Sequence, residues 1–388
     1  MSSEILIISN YFPPETGAAA NRIVALGEAL VNKGVRVTVV CPLPNYPYGS
    51  VFKGYRGKFV SKNIKSGITV YRLWHIASNS TNKFIRLFSM LSFCFSLFLF
   101  MLFKKGNKKI IVQCSPLLVG ATAVFIGRLK QKKIILNVSD VWPLAGLEMG
   151  IFRKGMYYNL LKKLELYCYY KAHLILAQSN EIITHIQTYY PQKKIILYRN
   201  FPKIAIAATP AMKNKKIKMV YAGLLGVAQG ISHLLKEINL PANMEFHIYG
   251  NGPDAKEVAL LSEDSVNIFF HGTMERKELH KNMISFDVGI IPLKNRIYGS
   301  VPSKIFEYAA LGLPIIYLSG GEGAEIIQTN QLGYVIPETD YIVLNSILLD
   351  IANRKALLPS RNKIKETSRL HFDLDTQFET VFLVLEAI

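Results

Sequence analysis

Three residues in the second half of the chain place a hydroxyl, an ammonium and a carboxylate at helical spacing. Ser303 and Glu307 are four positions apart, and Lys304 and Glu307 are three apart, so all three share one face of a predicted helix. Because the amino end of a helix attracts anions, its amides and Lys304 could bind a diphosphate. Glu307 could then accept hydrogens from two ribose hydroxyls. On spacing alone, a surface helix with a Lys–Glu pair is the competing interpretation.

Two glycine-containing turns follow predicted strands in the same half. Gly223, Leu225 and Gly226 follow one strand, and Gly250 and Asn251 follow the next. Glycine lets a backbone come close to a phosphate, so we expect these residues to bind a phosphorylated donor. Plain turns are the alternative at both places. Neither turn has the GxGxxG pattern, with an acid about twenty residues later, that a nicotinamide enzyme uses.

The first half offers four polar or small residues that could meet a second substrate. Gly17 and Asn21 flank the start of a predicted helix, Asn45 lies in an aromatic, proline-containing loop, and Asp140 follows a predicted strand. A carboxylate at the carboxyl end of a strand can bind hydroxyls or act as a base. Capping the next helix is the other role open to Asp140. We interpret the four as the acceptor side, and Asp140, Lys304 and Glu307 as the candidate catalytic residues.

The elements that would position these residues alternate short β-rich runs with helical stretches. Continuous apolar strands separated by helices indicate parallel sheets covered on both faces. Each half opens with a strand, a loop and a helix, as doubly wound domains do. We therefore predict an α/β protein with two Rossmann-like domains, 1–202 and 217–372, facing a central cleft and joined by a linker over 203–216. The predicted strands are 5–9, 35–41, 68–72, 110–114, 134–138, 174–178, 218–222, 244–249, 268–271, 288–291 and 315–317.

The charge balance points to an anionic partner. The 388 residues contain 46 Lys and Arg against 27 Asp and Glu, a formal net charge of +19. Basic doublets with nearby tyrosines in the first half suit a lipid headgroup zone, so an anionic membrane surface is the expected partner. A generally basic, solvated surface is the alternative. A nucleic-acid partner is not expected, because no recognition motif accompanies the charge.

The location follows from the start of the chain and its cysteines. Residues 1–8 lack the basic region and cleavage site of a signal peptide, and the four cysteines are scattered. We expect a cytoplasmic protein with reduced thiols, peripherally associated with the inner face of the plasma membrane.

One apolar segment allows three interpretations. Residues 87–103 are almost wholly apolar and are flanked by Arg86 and by Lys104 and Lys105. Seventeen residues is the lower limit for a membrane-spanning helix. A span would put its flanks on opposite sides of a bilayer and split the first domain, so a buried core helix or an interfacial helix is favoured.

Together these motifs resemble those of the retaining glycosyltransferases of family 4. Within that family the chain is most similar to bacterial transferases of surface-polysaccharide synthesis, of the fucosamine-transferase-like and colanic-acid types. The similarity covers nearly the whole chain. The segments that carry it are Pro302–Tyr308 with Gly312–Pro314, Tyr11–Glu15, Pro44–Pro47, Asp140–Pro143, Gln229–Gly230 and Gly321–Ala324.

The resemblance implies a GT-B fold and a metal-independent transfer that retains anomeric configuration. No cofactor is expected, and the nucleotide-sugar is the donor substrate. Glu307 would bind the donor ribose, and Lys304 with the Gly223–Gly226 loop would bind the diphosphate. The leaving phosphate would help to deprotonate the acceptor, a lipid-linked saccharide or polysaccharide precursor. A C-terminal helix over 373–388 would return to the first domain.

The sequence departs from the family pattern at several positions. A second glutamate often stands eight positions before the ribose-binding one, where this chain has Gly299. Leu224 and Gln229 replace the usual Arg and Lys of the glycine loop, and Ser139 replaces a frequent His. Arg276, Lys294 or Arg296 could supply the missing charge. A membrane-docked subunit that has lost catalysis is therefore an alternative, as is a nucleotide-sugar epimerase of the same fold.

Overall fold

The structure, a computed structural model, describes residues 4–15, 17–46, 48–80, 82–204 and 216–388. It forms two compact units. Unit 1 contains the described residues up to Asn200 together with Tyr298–Ser300 and Asp375–Ile388, and unit 2 contains the described residues of Phe201–Ile297 and Val301–Leu374. Most of the predicted linker, residues 205–215, lies outside the described residues.

Unit 1 is built on an eight-stranded sheet in the order β3-β4-β2-β1-β5-β6-β7-β8. All neighbours are parallel except β3, which runs antiparallel to β4. The central strands are continuous apolar runs because both faces of the sheet are covered. The strands are β1 Glu4–Ile8, β2 Arg36–Pro42, β3 Val60–Lys65, β4 Ile68–Leu73, β5 Lys109–Gln113, β6 Lys133–Val138, β7 Leu174–Ala177 and β8 Ile195–Leu197.

Helices cover both faces of this sheet. One apolar core lies under α2, α3, α5 and α6, and a second lies under α1 and α14. The helices are α1 Ala18–Asn32, α2 Lys83–Phe103, α3 Leu117–Leu129, α4 Leu144–Glu148, α5 Met156–Lys171, α6 Asn180–Tyr189 and the C-terminal α14 Leu374–Glu386.

The C-terminal helix α14 completes the second of these cores. Its side chains Phe378, Val381 and Leu385 are buried there. Gln377 fixes its start, because its Oε1 accepts from the Arg199 amide at 2.7 Å and its Nε2 donates to the Arg199 carbonyl at 3.0 Å.

The apolar segment around residues 87–103 forms α2, which extends further towards the N-terminus than predicted. The Oδ1 of Asn82 caps its first turn by accepting from the amides of Phe84 and Ile85. Phe93, Leu97 and Met101 pack into the core on one side, whereas the opposite side is exposed. Among the described residues, this is the helix that is long and apolar enough to cross a membrane by length and composition. A wholly buried core helix is therefore excluded.

Unit 2 contains a six-stranded, wholly parallel sheet in the order β11-β10-β9-β12-β13-β14. Two apolar cores, one on each face, bury its strands. The strands are β9 Ile217–Leu224, β10 Met244–Asn251, β11 Ile268–Phe270, β12 Val288–Pro292, β13 Ile315–Leu318 and β14 Gly333–Ile336. The helices are α7 Ile231–Glu237, α8 Ala255–Glu263, α9 Arg276–Met283, α10 Lys304–Ala310, α11 Gly321–Thr329, α12 Tyr341–Ala352 and α13 Arg361–His371.

The prediction of two doubly wound α/β sheets is confirmed, and all eleven predicted strands are present within two residues at each end. Three strands were missed. β3 is an exposed edge strand in which lysines interrupt the apolar residues, so it lacks a continuous apolar run. β8 has only three residues, and β14 begins at a glycine.

Candidate functional site

The helix α10 begins at the predicted position and is anchored by its apolar side. Its apolar side is fully buried through Ile305, Phe306 and Tyr308. Lys304 and Glu307 are half-buried on the other side of the helix. Ser303 occupies the N-cap position, but its side chain makes no capping hydrogen bond. Ser303 instead accepts the Glu307 amide through its carbonyl at 3.1 Å.

Glu307 is held by two side chains of α9. Its Oε1 lies 2.6 Å from Nε2 of His280 and 3.3 Å from Nη2 of Arg276. Its Oε2 makes no hydrogen bond with any residue described in unit 2. Burial raises the pKa of Glu307, but the His280 hydrogen bond and the charges of Arg276, His280 and Lys304 outweigh it and lower that pKa. Glu307 is thus an ionised acceptor with one oxygen still available.

Lys304 reaches across to the end of β9. Its Nζ lies 5.3 Å from the ring centroid of Tyr221, and a Cβ added to Gly223 would lie 2.4 Å from that Nζ. Any side chain at position 223 would therefore displace the ammonium. Burial lowers the pKa of Lys304, and the charge of Glu307 opposes that shift. The structure thus brings together Lys304 and Gly223, which the sequence separates by eighty residues.

Packing against the neighbouring strand explains why position 250 is a glycine. Gly250 pairs with Gly223 in adjacent parallel strands, and a Cβ on Gly250 would lie 1.8 Å from the Gly223 carbonyl oxygen. Leu225 does not face a ligand: its side chain is in the core, and its amide donates to the Asn251 carbonyl at 3.0 Å. The Asn251 side chain accepts the Gly252 amide at 2.8 Å. Gly250 and Asn251 are thus the last residues of β10 rather than part of a turn, and Gly250 lies beside Gly223 of β9.

Consecutive amides remain available in the first glycine turn. Within residues 216–388, the backbone N–H groups of Gly226, Val227 and Ala228 donate no hydrogen bond. Successive free N–H groups form a concave anion-binding arrangement. This turn follows directly on β9, at whose end Gly223 lies beside the Lys304 side chain of α10.

The three cations proposed as substitutes for the missing charge lie at different places. Arg276 is paired with Glu307. Lys294 adjoins the first glycine turn, because its amide donates to the Ala228 carbonyl at 2.9 Å and a Cβ added to Gly230 would lie 2.9 Å from its Cβ. Arg296 lies over Gly321 at the start of α11, where an added Cβ would meet its guanidinium.

In unit 1, a polar cluster lies at the carboxyl ends of the central strands. The buried Arg22 donates to Oδ1 of Asn137 at 2.6 Å and to Oε1 of Gln178 at 3.2 Å, and its guanidinium lies 4.8 Å from the ring centroid of Tyr198. Arg22 forms no salt bridge with a carboxylate among the described residues of unit 1. Burial accordingly lowers the pKa of Arg22 to about 10.

Asp140 lies beside this cluster, after the end of β6. Burial raises its pKa, whereas the positive charge of Arg22 and the Ser115 hydroxyl act in the opposite direction. Its carbonyl, 3.2 Å from the Trp142 amide, forms part of the turn that leads into α4. Asp140 is therefore a carboxyl group with a raised affinity for a proton, next to a buried cation.

The other predicted acceptor-side residues are not in the cluster. Gly17 and Asn21 are exposed around the start of α1, where the Asn21 amide donates to the Gly17 carbonyl at 3.0 Å. Asn45 belongs to a loop fixed by the buried Glu15, whose Oε1 accepts the amides of Asn45 and Tyr46, each at 2.9 Å. Pro47, in the same predicted motif, lies outside the described residues.

Comparison with protein families identifies the unit that holds Glu307 and Lys304. Residues 216–351 match the family described as glycosyl transferases group 1. A comparison with curated protein sequences found no match.

Solved structures extend the likeness to the whole chain. Sucrose-phosphate synthase from Thermosynechococcus elongatus is similar with a TM-score of 0.78 at 14% identity, over 99% of this chain and 98% of that one. HepE from Anabaena, in complex with UDP, has a TM-score of 0.70 at 11% identity, over 99% and 100% of the two chains. The lipopolysaccharide outer core galactosyltransferase WaaB has a TM-score of 0.65 at 14% identity, over 98% and 99%. The protein therefore has the GT-B fold.

Unit 2 also contains a site residue that the sequence did not single out, His280. Its distance of 2.6 Å to Glu307 depends on the packing of α9 beside α10, which spacing along the chain does not reveal. A histidine in the last turn of a short, charged helix was the available signal.

The departure at Gly299 also has a structural reason. Tyr298–Ser300 belongs to unit 1, where the Gly299 amide donates to Oε2 of Glu181 at 2.7 Å and its carbonyl accepts from Ser179 at 2.8 Å. Gly299 has φ +81°, and an added Cβ would lie 2.9 Å from Ile182. A glutamate at this position is incompatible with that backbone and that packing.

Proposed function

We propose that this protein is a retaining glycosyltransferase that moves a hexosyl or N-acetylhexosaminyl group from a UDP-sugar to a lipid-linked saccharide or polysaccharide precursor. The acceptor lies at the cytoplasmic face of the plasma membrane. The reaction belongs to surface-polysaccharide synthesis, as in capsule, O-antigen or exopolysaccharide assembly. The chain is closest in type to fucosamine-transferase-like and colanic-acid transferases, and it uses no metal or other cofactor.

One observation carries the proposal: an ionised carboxylate and an ammonium lie one helical turn apart beside free backbone amides, within the segment that matches the group 1 glycosyltransferase model. Oε2 of Glu307 is available for ribose hydroxyls. Lys304 lies against Gly223, and three unpaired amides follow in the same loop. Cationic and N–H donors suit a diphosphate, and a carboxylate suits a diol, so the set matches a nucleoside diphosphate.

The similar structures support the choice of donor and acceptor class. HepE was solved with UDP and with UDP-glucose, and WaaB acts on the lipopolysaccharide outer core. A UDP-sugar donor and a lipid-linked glycan acceptor are therefore the first pair to test. In unit 1, Asp140 and the amides around Arg22 offer hydrogen-bond acceptors and donors for the hydroxyls of such an acceptor.

Isothermal titration with UDP and other nucleoside diphosphates tests the donor site. We expect Glu307→Ala to weaken UDP binding by about 2–4 kcal/mol, because it removes two charge-assisted hydrogen bonds. Glu263→Ala, an exposed glutamate at the end of α8, is the matched control and should bind UDP as the native protein does. Failure of the native protein to bind any nucleoside diphosphate would overturn the proposal.

A second candidate function is a membrane-docked subunit of a polysaccharide assembly complex that keeps the fold without catalysis. Gly299 favours it, because the family position for a second glutamate has no room for a side chain here. Incubation of purified protein with UDP-sugars and a lipid-linked acceptor separates the two functions. Sugar transfer that Glu307→Ala abolishes eliminates the subunit, whereas UDP binding without turnover of any acceptor favours it.

A further inference from the structure

The exposed side of α2 is a continuous apolar stripe on the surface of unit 1. Large side chains recur at helical spacing along it, including Phe88 and Phe95, which are 63% and 61% exposed. The stripe extends over about 27 Å at 1.5 Å per residue. Its members are Phe84, Phe88, Leu91, Phe95, Phe98, Leu99 and Leu102.

The stripe continues onto the neighbouring helices of the same layer. On α3, Phe125 and Leu129 are exposed, and on α5 Met156 and Leu160 are exposed. An apolar surface of this extent exceeds the scattered exposed residues of ordinary soluble proteins and indicates a binding face.

The segment of the chain that contains α2 and α3 carries charge of one sign. Residues 29–139 contain eighteen Lys and Arg residues and no Asp or Glu. Arg86 and Lys105 are exposed at opposite ends of the stripe, and Arg128 is exposed beside Leu129. A partner that fits this surface must therefore present apolar groups to the stripe and negative charge to the cations at the ends of the stripe. A bilayer that contains anionic lipids has both properties.

Hydrogen bonds also tie α2 to the rest of unit 1 in its middle and at its C-terminal end. Nζ of Lys130 donates to the carbonyls of Met101, Leu102 and Lys104 at the C-terminal end. In the middle, the Ile76 amide donates to the Ser92 hydroxyl at 2.9 Å. A helix crossing a bilayer would have to break these bonds and expose Phe93, Leu97 and Met101.

We propose that the α2 stripe, together with the exposed apolar residues of α3 and α5, lies in the plane of an anionic bilayer and docks unit 1 on it without crossing it. The inference deepens the proposed function, which already puts the acceptor at a membrane, by assigning the surface that makes the contact. The aromatic side chains enter the boundary between headgroups and acyl chains, while Arg86, Lys105 and Arg128 meet lipid phosphates.

Vesicle flotation tests the surface with a matched pair of variants. The stripe variant is Phe88→Ser, Phe95→Ser and Leu102→Ser. The control is Val266→Ser, Ile342→Ser and Leu357→Ser, which removes three apolar residues that are 92%, 85% and 81% exposed in unit 2. On vesicles of phosphatidylcholine mixed with phosphatidylglycerol, we expect the stripe variant to lose about tenfold or more in binding and the control to bind as the native protein does.

The charges and the in-plane position have their own measurements. Arg86→Gln with Lys105→Gln should weaken binding to the mixed vesicles and reduce its sensitivity to salt, whereas pure phosphatidylcholine should bind the native protein weakly. Alkaline carbonate should release the native protein from cell membranes, because a helix lying in the interface is not anchored through the bilayer.

Binding of UDP in the absence of vesicles separates this inference from the proposed function. Both triple variants should bind UDP normally, since no substituted residue belongs to the donor site. If the native protein binds UDP but not the mixed vesicles, or if the stripe variant binds them as well as the control does, the docking surface is wrong and the proposed function stands. Resistance of the native protein to carbonate extraction would show that α2 spans the membrane. If the native protein self-associates without binding vesicles, and the stripe variant loses that self-association, the stripe is an interface between copies of the chain. Either result overturns the inference.

Discussion

The two sheets differ in how the charged side chains at their carboxyl ends are paired. In unit 2, Glu307 is ionised between His280 and the half-exposed Arg276, with the charge of Lys304 nearby. In unit 1, the buried Arg22 is held by the neutral amide oxygens of Asn137 and Gln178. The unit 2 edge therefore keeps charge where a charged ligand can reach it.

In the proposed function, this difference assigns the diphosphate to unit 2 and the acceptor to unit 1. A diphosphate needs accessible cations and free N–H groups, which surround Gly223. Sugar hydroxyls need neutral hydrogen-bond donors and acceptors and a carboxylate whose proton affinity can be adjusted. Asp140 is such a carboxylate, and the neutral groups lie around it. Variants that act on one edge should leave the other unchanged, and each prediction below uses that independence.

Among the variants that follow, Lys304→Met is expected to have the largest effect. Lys304→Met removes the ammonium beside Gly223 and should weaken UDP binding by about 1.5–3 kcal/mol, the value of a hydrogen bond to a charged group. Titration calorimetry measures the change, with Lys294→Met as the control because that cation adjoins the other end of the glycine turn. Native affinity in Lys304→Met and loss in Lys294→Met would place the diphosphate next to Gly230 instead.

Arg22→Met should act on unit 1 alone. It leaves Oδ1 of Asn137 and Oε1 of Gln178 without their buried donor, which costs about 1–3 kcal/mol of unfolding free energy. Urea denaturation measures this cost, and Arg36→Met, at the exposed start of β2, should leave stability unchanged. UDP affinity should stay native in both variants. A loss of UDP affinity in Arg22→Met would contradict the division between the two edges.

The same substitution should shift the pH dependence of transfer. Burial holds the pKa of Asp140 above its ordinary value of 3.8, and the charge of Arg22 opposes that rise. If transfer needs ionised Asp140, its rate rises with pH as the carboxyl loses its proton, and Arg22→Met moves this rise to higher pH. Profiles of kcat/KM against pH for native, Arg22→Met and Arg36→Met protein test the shift. An unchanged profile would remove Asp140 from catalysis.

Proton binding by Asp140 also affects stability, with a defined sign. A carboxyl group whose pKa is raised in the folded state binds its proton more tightly than in the unfolded chain. Its contribution to stability is therefore present at low pH and declines as the pH rises from 3.8 through the raised pKa. Glu307 behaves oppositely, because its lowered pKa contributes stability above 4.5 that is lost as the pH falls through the folded value.

The smallest effect is expected at Gly17. Its φ of +143° is unfavourable for alanine, but an added Cβ would have no atom within 4 Å, so Gly17→Ala should cost only about 1 kcal/mol. Gly34→Ala is a close control, since Gly34 also has a positive φ and open space around it. A fall in kcat/KM for the acceptor in Gly17→Ala, well beyond that of Gly34→Ala, would show that the acceptor approaches Gly17.

The fold was predictable from sequence because buried parallel strands are continuous apolar runs. Where that condition fails, the prediction fails: β3 is exposed and interrupted by Lys62 and Lys65, and β8 is too short to stand out. The exposed side of α2 was also beyond prediction, because a helix that is apolar on all sides does not reveal which side the core covers.

The candidate site was predictable only where it is local in sequence. The spacing of Lys304 and Glu307 predicted their shared helix correctly. The approach of His280 to Glu307, and of Lys304 to Gly223, depends on the packing of distant segments. The turn after β9 begins two residues later than predicted, because β9 continues through Gly223 to Leu224, and the inward direction of Leu225 depends on the register of β9 with β10.

The path of the chain through unit 1 has a consequence for synthesis. This unit takes its last core helix, α14, from residues that a ribosome makes only after all of unit 2. Until then, only α1 covers its part of this sheet face, the part that receives Phe378, Val381 and Leu385 stays exposed, and unit 1 remains vulnerable to aggregation and proteolysis. Maturation of unit 1 is thus postponed to the end of translation, whereas unit 2 can fold earlier on the nascent chain.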